Sequence, residues 1–368
     1  MAKKNKLFVN FCVLLVSLAV GFAFLEILLR ITYPMTLHDS IYDSNKHFYR
    51  FEQNKEYVMR SPQLFVNEYI FTFKRNSKGF SDYEHNYQNP KEKVRIVGIG
   101  DSFTEGGVAP QNSTFLSVLE KNLNLNFEKY EIINLGVGGT SIDNYYFTYK
   151  NEGALYNPKY VILGFFVGND ITPNFELLEI NNSKIVKKTP SKETSWFLKL
   201  RKYLSTHSAF YKFSILLLNN NKAASDLLID LGFFVPTKID IYSASSRKMF
   251  LDGISSNLFM MDAINKLVQK NNSTLIILLI PPKEQVDNSK YEEYLQRNVS
   301  FGNGKFEAQK LINDFCSKKK IVCVDLLPDL ITQNKNNTFY WQIDGHFNPA
   351  GHALASKILL KKIQELEN

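Results

Sequence analysis

Ser102 stands in Gly100-Asp101-Ser102, directly after the β-branched run RIVGIG from Arg95 to Gly100. A glycine gives the chain a tight exit. A serine just beyond it sits near the N-terminus of whatever helix follows, where a backbone N–H stabilises a developing anion. Such a serine is a nucleophile if a base reaches it. DGHFNPAGH, Asp344 to His352, offers one in His346. Asp344 and His346 are two residues apart, so in an extended or turning segment the carboxylate can reach the imidazole and fix its tautomer, the support a general base needs. Two further stretches offer donors to an oxyanion. NLGVGGTS, Asn134 to Ser141, has glycines that let the backbone approach a ligand closely. In VGNDI, Val167 to Ile171, the Asn169 side-chain amide can donate.

Each stretch alone also has a plainer reading. Ser102 can cap a helix. The glycines can form a flexible loop or a phosphate-binding turn, although they fit a dinucleotide fingerprint poorly: they follow a second strand, with no acidic residue at the expected place. Asn169-Asp170 can be a simple turn, and His352 can pack inside the helix that follows His346. Tyr145, Tyr146 and Trp341 flank these stretches and can stack on a sugar or fill the core or rim.

The elements that must position these residues read clearly. Apolar runs VRIVGIG (from Val94), EIINLG (from Glu131), YVILGFF (from Tyr160), TLIILLIPP (from Thr274) and IVCVDLL (from Ile321) read as five short buried strands. Helical spacing lies between them, at Phe115–Asn124, Ile254–Val268 and Phe306–Phe315, and a last helix runs from about Pro349 to Leu366. Asn348 and Pro349 look like its cap and first residue. Wholly apolar strands alternating with helices predict an α/β fold with a parallel sheet covered on both faces. All four chemical stretches then fall at carboxyl ends of strands or ahead of a helix, where sites form in such sheets. Residues 171–252 interrupt the rhythm with polar loops and apolar helical pieces, and read as an inserted cap or lid. Tyr69–Lys74 alternates like a strand.

Together the four stretches resemble the blocks of the SGNH hydrolase superfamily, the GDSL-like lipases and esterases, which supply Ser, Gly, Asn and His in that order. The resemblance covers about Val94 to the C-terminus, apart from the insert. It implies a three-layer sandwich with a central five-stranded parallel sheet, a flavodoxin-like SGNH fold. It implies Ser102 as nucleophile, His346 as base and Asp344 as its partner. The oxyanion donors would be the Ser102 and Gly139 N–H groups, with Gly138 as fallback for the latter, and the Asn169 side chain. The commoner pattern puts the aspartate three residues before the histidine. Here it is two, the spacing of some branches, including those acting on polysaccharide acyl groups. The implied activity is that of a serine esterase acting on acyl or acetyl esters of envelope glycans or lipids through an acyl-serine, with no metal or organic cofactor. The alternatives are an O-acyltransferase using the same triad on an extracytoplasmic polysaccharide, with a multispanning partner delivering acyl groups, and a non-catalytic glycan-binding protein.

The chain has 368 residues, 44% hydrophobic and 22% charged, which suits folded domains and argues against wholesale disorder. The net charge of +8 is spread over scattered lysines without a focused basic patch, so nucleic acid is not an expected partner. Lys3, Lys4 and Lys6 precede an apolar run from Leu7 to Leu29. That run is long enough to cross a bilayer, and the lysines favour a cytoplasmic N-terminus. It reads as a single-pass anchor with an extracytoplasmic remainder; the competing reading is a signal peptide cut after the small residues Gly21 and Ala23. The expected organisation is a cytoplasmic tip and anchor over 1–30, a membrane-proximal lead-in over 31–92, and the SGNH-like domain over 93–368 with the insert at 171–252. Cys316 and Cys323 can pair in an oxidising compartment, and no cluster has metal-ligand spacing.

Overall fold

The computed structural model describes residues 2–32, 40–61, 68–171, 175–190, 196–220, 247–289, 291–292, 304–334, 339–342 and 344–368. The insert residues 172–174, 191–195 and 221–246, expected to form part of a cap, lie outside the described residues. The chain forms two compact units. One comprises Met1–Asp39, Pro62–Asn67 and Lys192–Pro236; the other comprises Ser40–Ser61, Glu68–Ser191 and Thr237–Asn368.

The chain begins in the first unit with α1 (Ala2–Thr32). Its stretch Val9–Thr32 is long and apolar enough to cross a membrane, with a mean hydropathy of 2.6. In the second unit come the hairpins β1 (Ile41–Asp43) with β2 (Phe48–Arg50) and β3 (Glu56–Arg60) with β4 (Ile70–Lys74), both antiparallel. They are followed by β5 (Val94–Gly100), α2 (Ser102–Glu105), α3 (Phe115–Leu123), β6 (Tyr130–Asn134), α4 (Ile142–Asn151) and β7 (Tyr160–Phe166). The insert opens with a third hairpin, β8 (Leu178–Asn181) and β9 (Lys184–Lys187). The polarity of this stretch predicts a loop, and a hairpin stands there instead. Asn182 and Ser183 both adopt positive φ (48° and 58°), which suits a two-residue hairpin turn, and the alternation around it is weak because the hairpin is mostly solvated. Helices α5 (Trp196–His207) and α6 (Ala209–Asn220) belong to the first unit. The second unit then continues with α7 (Arg247–Lys270), β10 (Thr274–Ile280), α8 (Lys283–Val286), α9 (Glu307–Lys319), β11 (Val322–Asp325), α10 (Leu327–Gln333) and α11 (Pro349–Glu367).

The five expected strands form one parallel sheet in the order β6-β5-β7-β10-β11. Counted along the chain this is 2-1-3-4-5, the flavodoxin-like order, whose switch point lies at the carboxyl ends of the first and third strands. Alternate residues serve the two faces. Val97, Ile99, Leu163 and Ile277 join a core with Tyr145, Met260 and Ile264, whereas Ile96, Ile162 and Leu278 join one with Leu119, Leu330 and Leu359. Burial on both faces makes the strands apolar throughout and gives three layers. Cys316, near the end of α9, is disulfide-bonded to Cys323 in β11.

In the first unit, two side chains of α1 meet the junction of α5 and α6. Glu26 accepts hydrogen bonds from Ser208 Oγ (2.9 Å) and from the backbone N–H groups of Ala209 (3.0 Å) and Phe210 (2.9 Å). Arg30, bonded to Glu26 at 2.7 Å, donates to the carbonyl of His207. An acid thus meets the N-terminus of one helix and a base the C-terminus of another, the polarity that helix ends favour.

Candidate active site

The site begins where β5 ends. Asp101 caps α2: its Oδ1 accepts the Phe103 N–H at 3.0 Å. Ser102, the first residue of α2, is therefore not spent as the cap. The turn is drawn tightly onto the sheet. A Cβ at either Gly100 or Gly164 would lie 2.1 Å from Thr104 Oγ1, and one at Gly136 would lie 2.3 Å from the Glu105 N. Glycine in GDS and in the middle of β7 thus makes room for the helix that carries the serine. Asn134, at the end of β6, donates from Nδ2 to the Thr104 (2.9 Å) and Glu105 (3.3 Å) carbonyls.

His346 arrives from the loop ahead of α11. Asn348 caps that helix, accepting the N–H groups of Ala350 (2.9 Å) and Gly351 (3.1 Å), with Pro349 as its first residue. The imidazole packs on Phe103, with ring centroids 4.8 Å apart. Its Nε2 lies 2.8 Å from Ser102 Oγ. Its Nδ1 lies 2.5 Å from Asp344 Oδ1, which also accepts the His346 backbone N–H at 3.2 Å. Gly345 between them has φ +80°, a left-handed turn that folds the carboxylate back within reach.

The electrostatics favour a poised pair. Burial pushes the Asp344 carboxyl up, but hydrogen bonds and charge from His346, and a hydrogen bond from Tyr69, outweigh it and hold the group below the usual carboxylate range. Burial pulls the His346 pKa down, but Asp344, and then the charges of Asp101 and Glu105, raise it above the ordinary imidazole value. Asp101 is pushed up to about 6 by burial, with the charge of Glu105 adding to it, against the Phe103 N–H and the His346 charge. Asp170 is also pushed well up, by burial and by the charge of Asp101. His352 is a packed core residue. Its Nδ1 accepts the Phe115 N–H at 3.3 Å, and burial followed by the His346 charge lowers it to about 3.

The oxyanion candidates stand at the same sheet edge. Gly138 and Gly139 follow β6, and Asn169 lies in the turn after β7, the neighbour of β5. The Gly138 N–H is spoken for: it donates to Glu105 Oε2 at 2.8 Å. Gly139, with φ +75°, is exposed, and its N–H has no acceptor among the described residues. The same is true of the Ser102 N–H. Asn169 is exposed; its turn is held by Asp170, whose Oδ2 accepts the Phe166 N–H at 3.0 Å. Tyr145 is fully buried, 3.0 Å from the Thr140 carbonyl and 3.1 Å from Asp170 Oδ1, so it braces these loops from within. Trp341 donates to the Val108 carbonyl at 2.9 Å and packs on Tyr69.

Three participants escaped the sequence reading. Tyr69 donates to Asp344 Oδ2 at 2.9 Å, Glu68 Oε1 accepts the Gln342 N–H at 2.5 Å, and the buried Arg75 binds Glu105 Oε1 at 2.8 Å. All three come from the hairpin region around β4. Its alternation signals a strand, but nothing local signals what that strand reaches.

Residues 243–368 match the family model described as SGNH hydrolase-like domain, acetyltransferase AlgX. The match includes Asp344 and His346 and leaves Ser102, Gly139 and Asn169 outside it. No curated protein matches the chain. Among solved structures the chain is similar to a two-domain esterase active on acetylated mannans (11% identity, TM-score 0.40). That alignment covers 74% of this chain and 49% of the esterase, so the chain spans about half of its length. It is also similar to an acetyl xylan esterase (14% identity, TM-score 0.42), with 73% of this chain and 100% of the other covered. A lipase/acylhydrolase from Enterococcus faecalis matches at 12% identity and TM-score 0.40, over 74% and 96% of the two chains.

Proposed function

We propose, taking as premise the SGNH hydrolase-like domain that this chain carries, that the protein is a serine esterase acting on acylated glycans or lipids of the cell envelope. One observation carries the reading: Ser102 Oγ, His346 Nε2 and Asp344 Oδ1 form a continuous hydrogen-bonded relay. Asp344 holds the proton on Nδ1 and leaves Nε2 bare. As Ser102 Oγ attacks an ester carbonyl carbon, its proton passes to His346. The carbonyl π electrons move to oxygen, and the uncommitted Ser102 and Gly139 N–H groups and the Asn169 amide donate to that oxyanion. Losing one such donor costs about 3–4 kcal/mol of barrier. Collapse expels the alcohol, which takes the proton from His346, and leaves acyl-Ser102. Water, deprotonated by His346, then releases the acid.

A second reading has a specific support: the matched family model describes an acetyltransferase. In it a sugar hydroxyl replaces water as acceptor. The acyl group must then reach Ser102 from a donor, which a multispanning partner would supply across the membrane.

We place the site outside the cytoplasm, on α1 as a retained single-pass anchor. Lys3, Lys4 and Lys6 favour a cytoplasmic N-terminus. The Cys316–Cys323 disulfide suits an oxidising compartment. Glu26 and Arg30 bind the C-terminal part of α1 to α5 and α6, and a cut after Gly21 or Ala23 would leave that junction close to a frayed N-terminus.

The deciding experiment is labelling with a serine-directed fluorophosphonate, followed by peptide mapping. Stoichiometric label on Ser102, absent in His346→Ala, is expected; no label on the folded wild type overturns the nucleophile assignment. Incubation with an acyl donor and a glycan oligosaccharide then separates free acid from acylated sugar.

A further inference from the structure

β4 lies outside the segments that carry the proposed chemistry, yet both of its ends run into them. Tyr69, Phe73 and Arg75 share one face at the strand period and are buried, whereas Ile70, Thr72 and Lys74 are exposed. At about 3.3 Å per residue the Cα atoms of Tyr69 and Arg75 stand about 20 Å apart. At one end the Tyr69 hydroxyl donates to Asp344 Oδ2, the oxygen that His346 does not use (2.9 Å). Glu68, beside it, holds the Gln342 N–H, and its Oε2 is 3.4 Å from the Asp344 N. At the other end Arg75 Nη2 pairs with Glu105 Oε1 (2.8 Å), and Glu105 Oε2 accepts the Gly138 N–H (2.8 Å). The guanidinium is fully buried and lies over the rings of Phe51 (3.7 Å) and Phe73 (4.5 Å).

We propose that β4 is a positioning strand that sets both halves of the site at once: Tyr69 orients the acid of the triad, and Arg75, through Glu105, sets the loop of the oxyanion donors. The geometry gives each contact a task. With one oxygen held by Tyr69, Asp344 has its other oxygen aimed at Nδ1, and its negative charge is shared. With Gly138 committed to Glu105, Gly139 at φ +75° is left to present its N–H. Only a residue that fixes Glu105 keeps this choice between adjacent amides, and Arg75 is the cation bound to it. Ser81 Oγ, 3.3 Å from Glu105 Oε1, is the one further side chain on that carboxylate among the described residues. The proposal rests on the serine-esterase reading for its consequence and on the hydrogen bonds for its existence.

The test uses the full chain in detergent micelles. In Tyr69→Phe the ring packing stays and one hydrogen bond goes. The Asp344 charge is then less shared, so the His346 titration, followed by NMR of labelled histidine, moves to higher pH. The acid limb of kcat/KM moves with it, and kcat falls about tenfold, the size of one hydrogen bond to a charged group. Arg75→Met with Glu105→Leu removes both buried charges together, avoiding a lone one. Amide exchange in the peptide 134–141 is expected to accelerate at least tenfold, with kcat lowered and KM unchanged. If that variant does not fold, Arg75→Met with Glu105→Gln keeps an acceptor for Gly138 and shows a smaller acceleration, about threefold. An unmoved His346 titration in folded Tyr69→Phe, or unchanged exchange over 134–141 in a folded Arg75/Glu105 variant, overturns the proposal. Neither of those readouts needs turnover. A wild type that takes no fluorophosphonate sinks the serine-nucleophile reading and leaves both to be scored.

Discussion

Asp344 touches His346 twice: its Oδ1 accepts both the ring Nδ1–H and the backbone N–H of the same residue. The double contact exists because Gly345, at φ +80°, reverses the chain between them. It accounts for a two-residue spacing that places acid and base on adjoining steps of one turn. Asp344→Asn keeps the shape but lets the amide favour the wrong tautomer, so kcat is expected to fall about 10⁴-fold with KM little changed. Gly345→Ala forces a side chain into the left-handed region, at a cost of about 1–3 kcal/mol. Steady-state kinetics on a short-chain chromogenic ester measures the first effect and thermal unfolding the second. Asp344→Asn with wild-type kcat ends the role given to this carboxylate.

His346 titrates above the ordinary imidazole value of 6.5, because Asp344, Asp101 and Glu105 stabilise its cation more than burial opposes it. A protonated imidazole cannot take the Ser102 proton. Activity therefore appears as pH rises through a midpoint above 6.5 and is lost below it. The pH dependence of kcat/KM reports that midpoint for the free enzyme. A midpoint at or below 6.5 contradicts the electrostatics described for the site.

Asp101 gives a separable prediction for stability. Its folded pKa of about 6 exceeds the ordinary 3.8, so the folded chain holds a proton that the unfolded chain releases. The stability it contributes is complete below pH 3.8 and lost as pH rises past 6. A shift of about two units is worth about 3 kcal/mol. Asp101→Asn keeps an oxygen for the Phe103 N–H and has no charge to bury. The variant is expected to gain in melting temperature over the wild type between pH 5 and pH 8, while losing the Asp101 charge that supports His346. Thermal unfolding at the two pH values checks the first effect and the acid limb of kcat/KM the second. A difference in melting temperature that does not grow with pH contradicts a carboxyl buried at a cost.

Much of the site was legible in the sequence because its signals are local. Strand apolarity follows from burial on two faces, and Gly100-Asp101-Ser102 and Asp344-Gly345-His346 each hold their geometry within one turn. The resemblance names Gly139, with Gly138 as fallback, but no local signal shows that the Gly138 N–H is taken by Glu105, which is held from β4 by Arg75. Tyr69 reads only as an alternating position of a short strand and Arg75 stands just past its end, since a contact across 275 residues, such as Tyr69 to Asp344, leaves no periodic trace. The β8–β9 hairpin was missed for another reason: it is short and mostly solvated, so its alternation carries little apolar contrast.

The Cys316–Cys323 bond ties the end of α9 to the strand β11 at the sheet edge, away from β5 and β7 where the candidate site lies. Closing so short a loop is worth about 2.5 kcal/mol in the chain-entropy account. Under denaturing conditions without reductant, thiol titration is expected to find one cysteine, Cys12, and with reductant three. Reduction lowers the melting temperature and leaves kcat on small esters unchanged within twofold. Three thiols in oxidised protein purified from the envelope would mean that the bond does not form there.

Glu26 sits on the C-terminal part of an apolar helix, yet its carboxylate receives three hydrogen bonds from the start of α6, and Arg30 serves the end of α5. Cleavage after Gly21 or Ala23 would leave Glu26 and Arg30 within a few residues of a frayed N-terminus. The intact mass of the purified protein is therefore expected to include α1, and carbonate extraction to leave the protein with the membrane. Glu26→Gln with Arg30→Met removes the polarity match and is expected to speed limited proteolysis within residues 196–220 several-fold, with ester hydrolysis retained. A mature chain beginning after residue 21 would overturn the retained anchor.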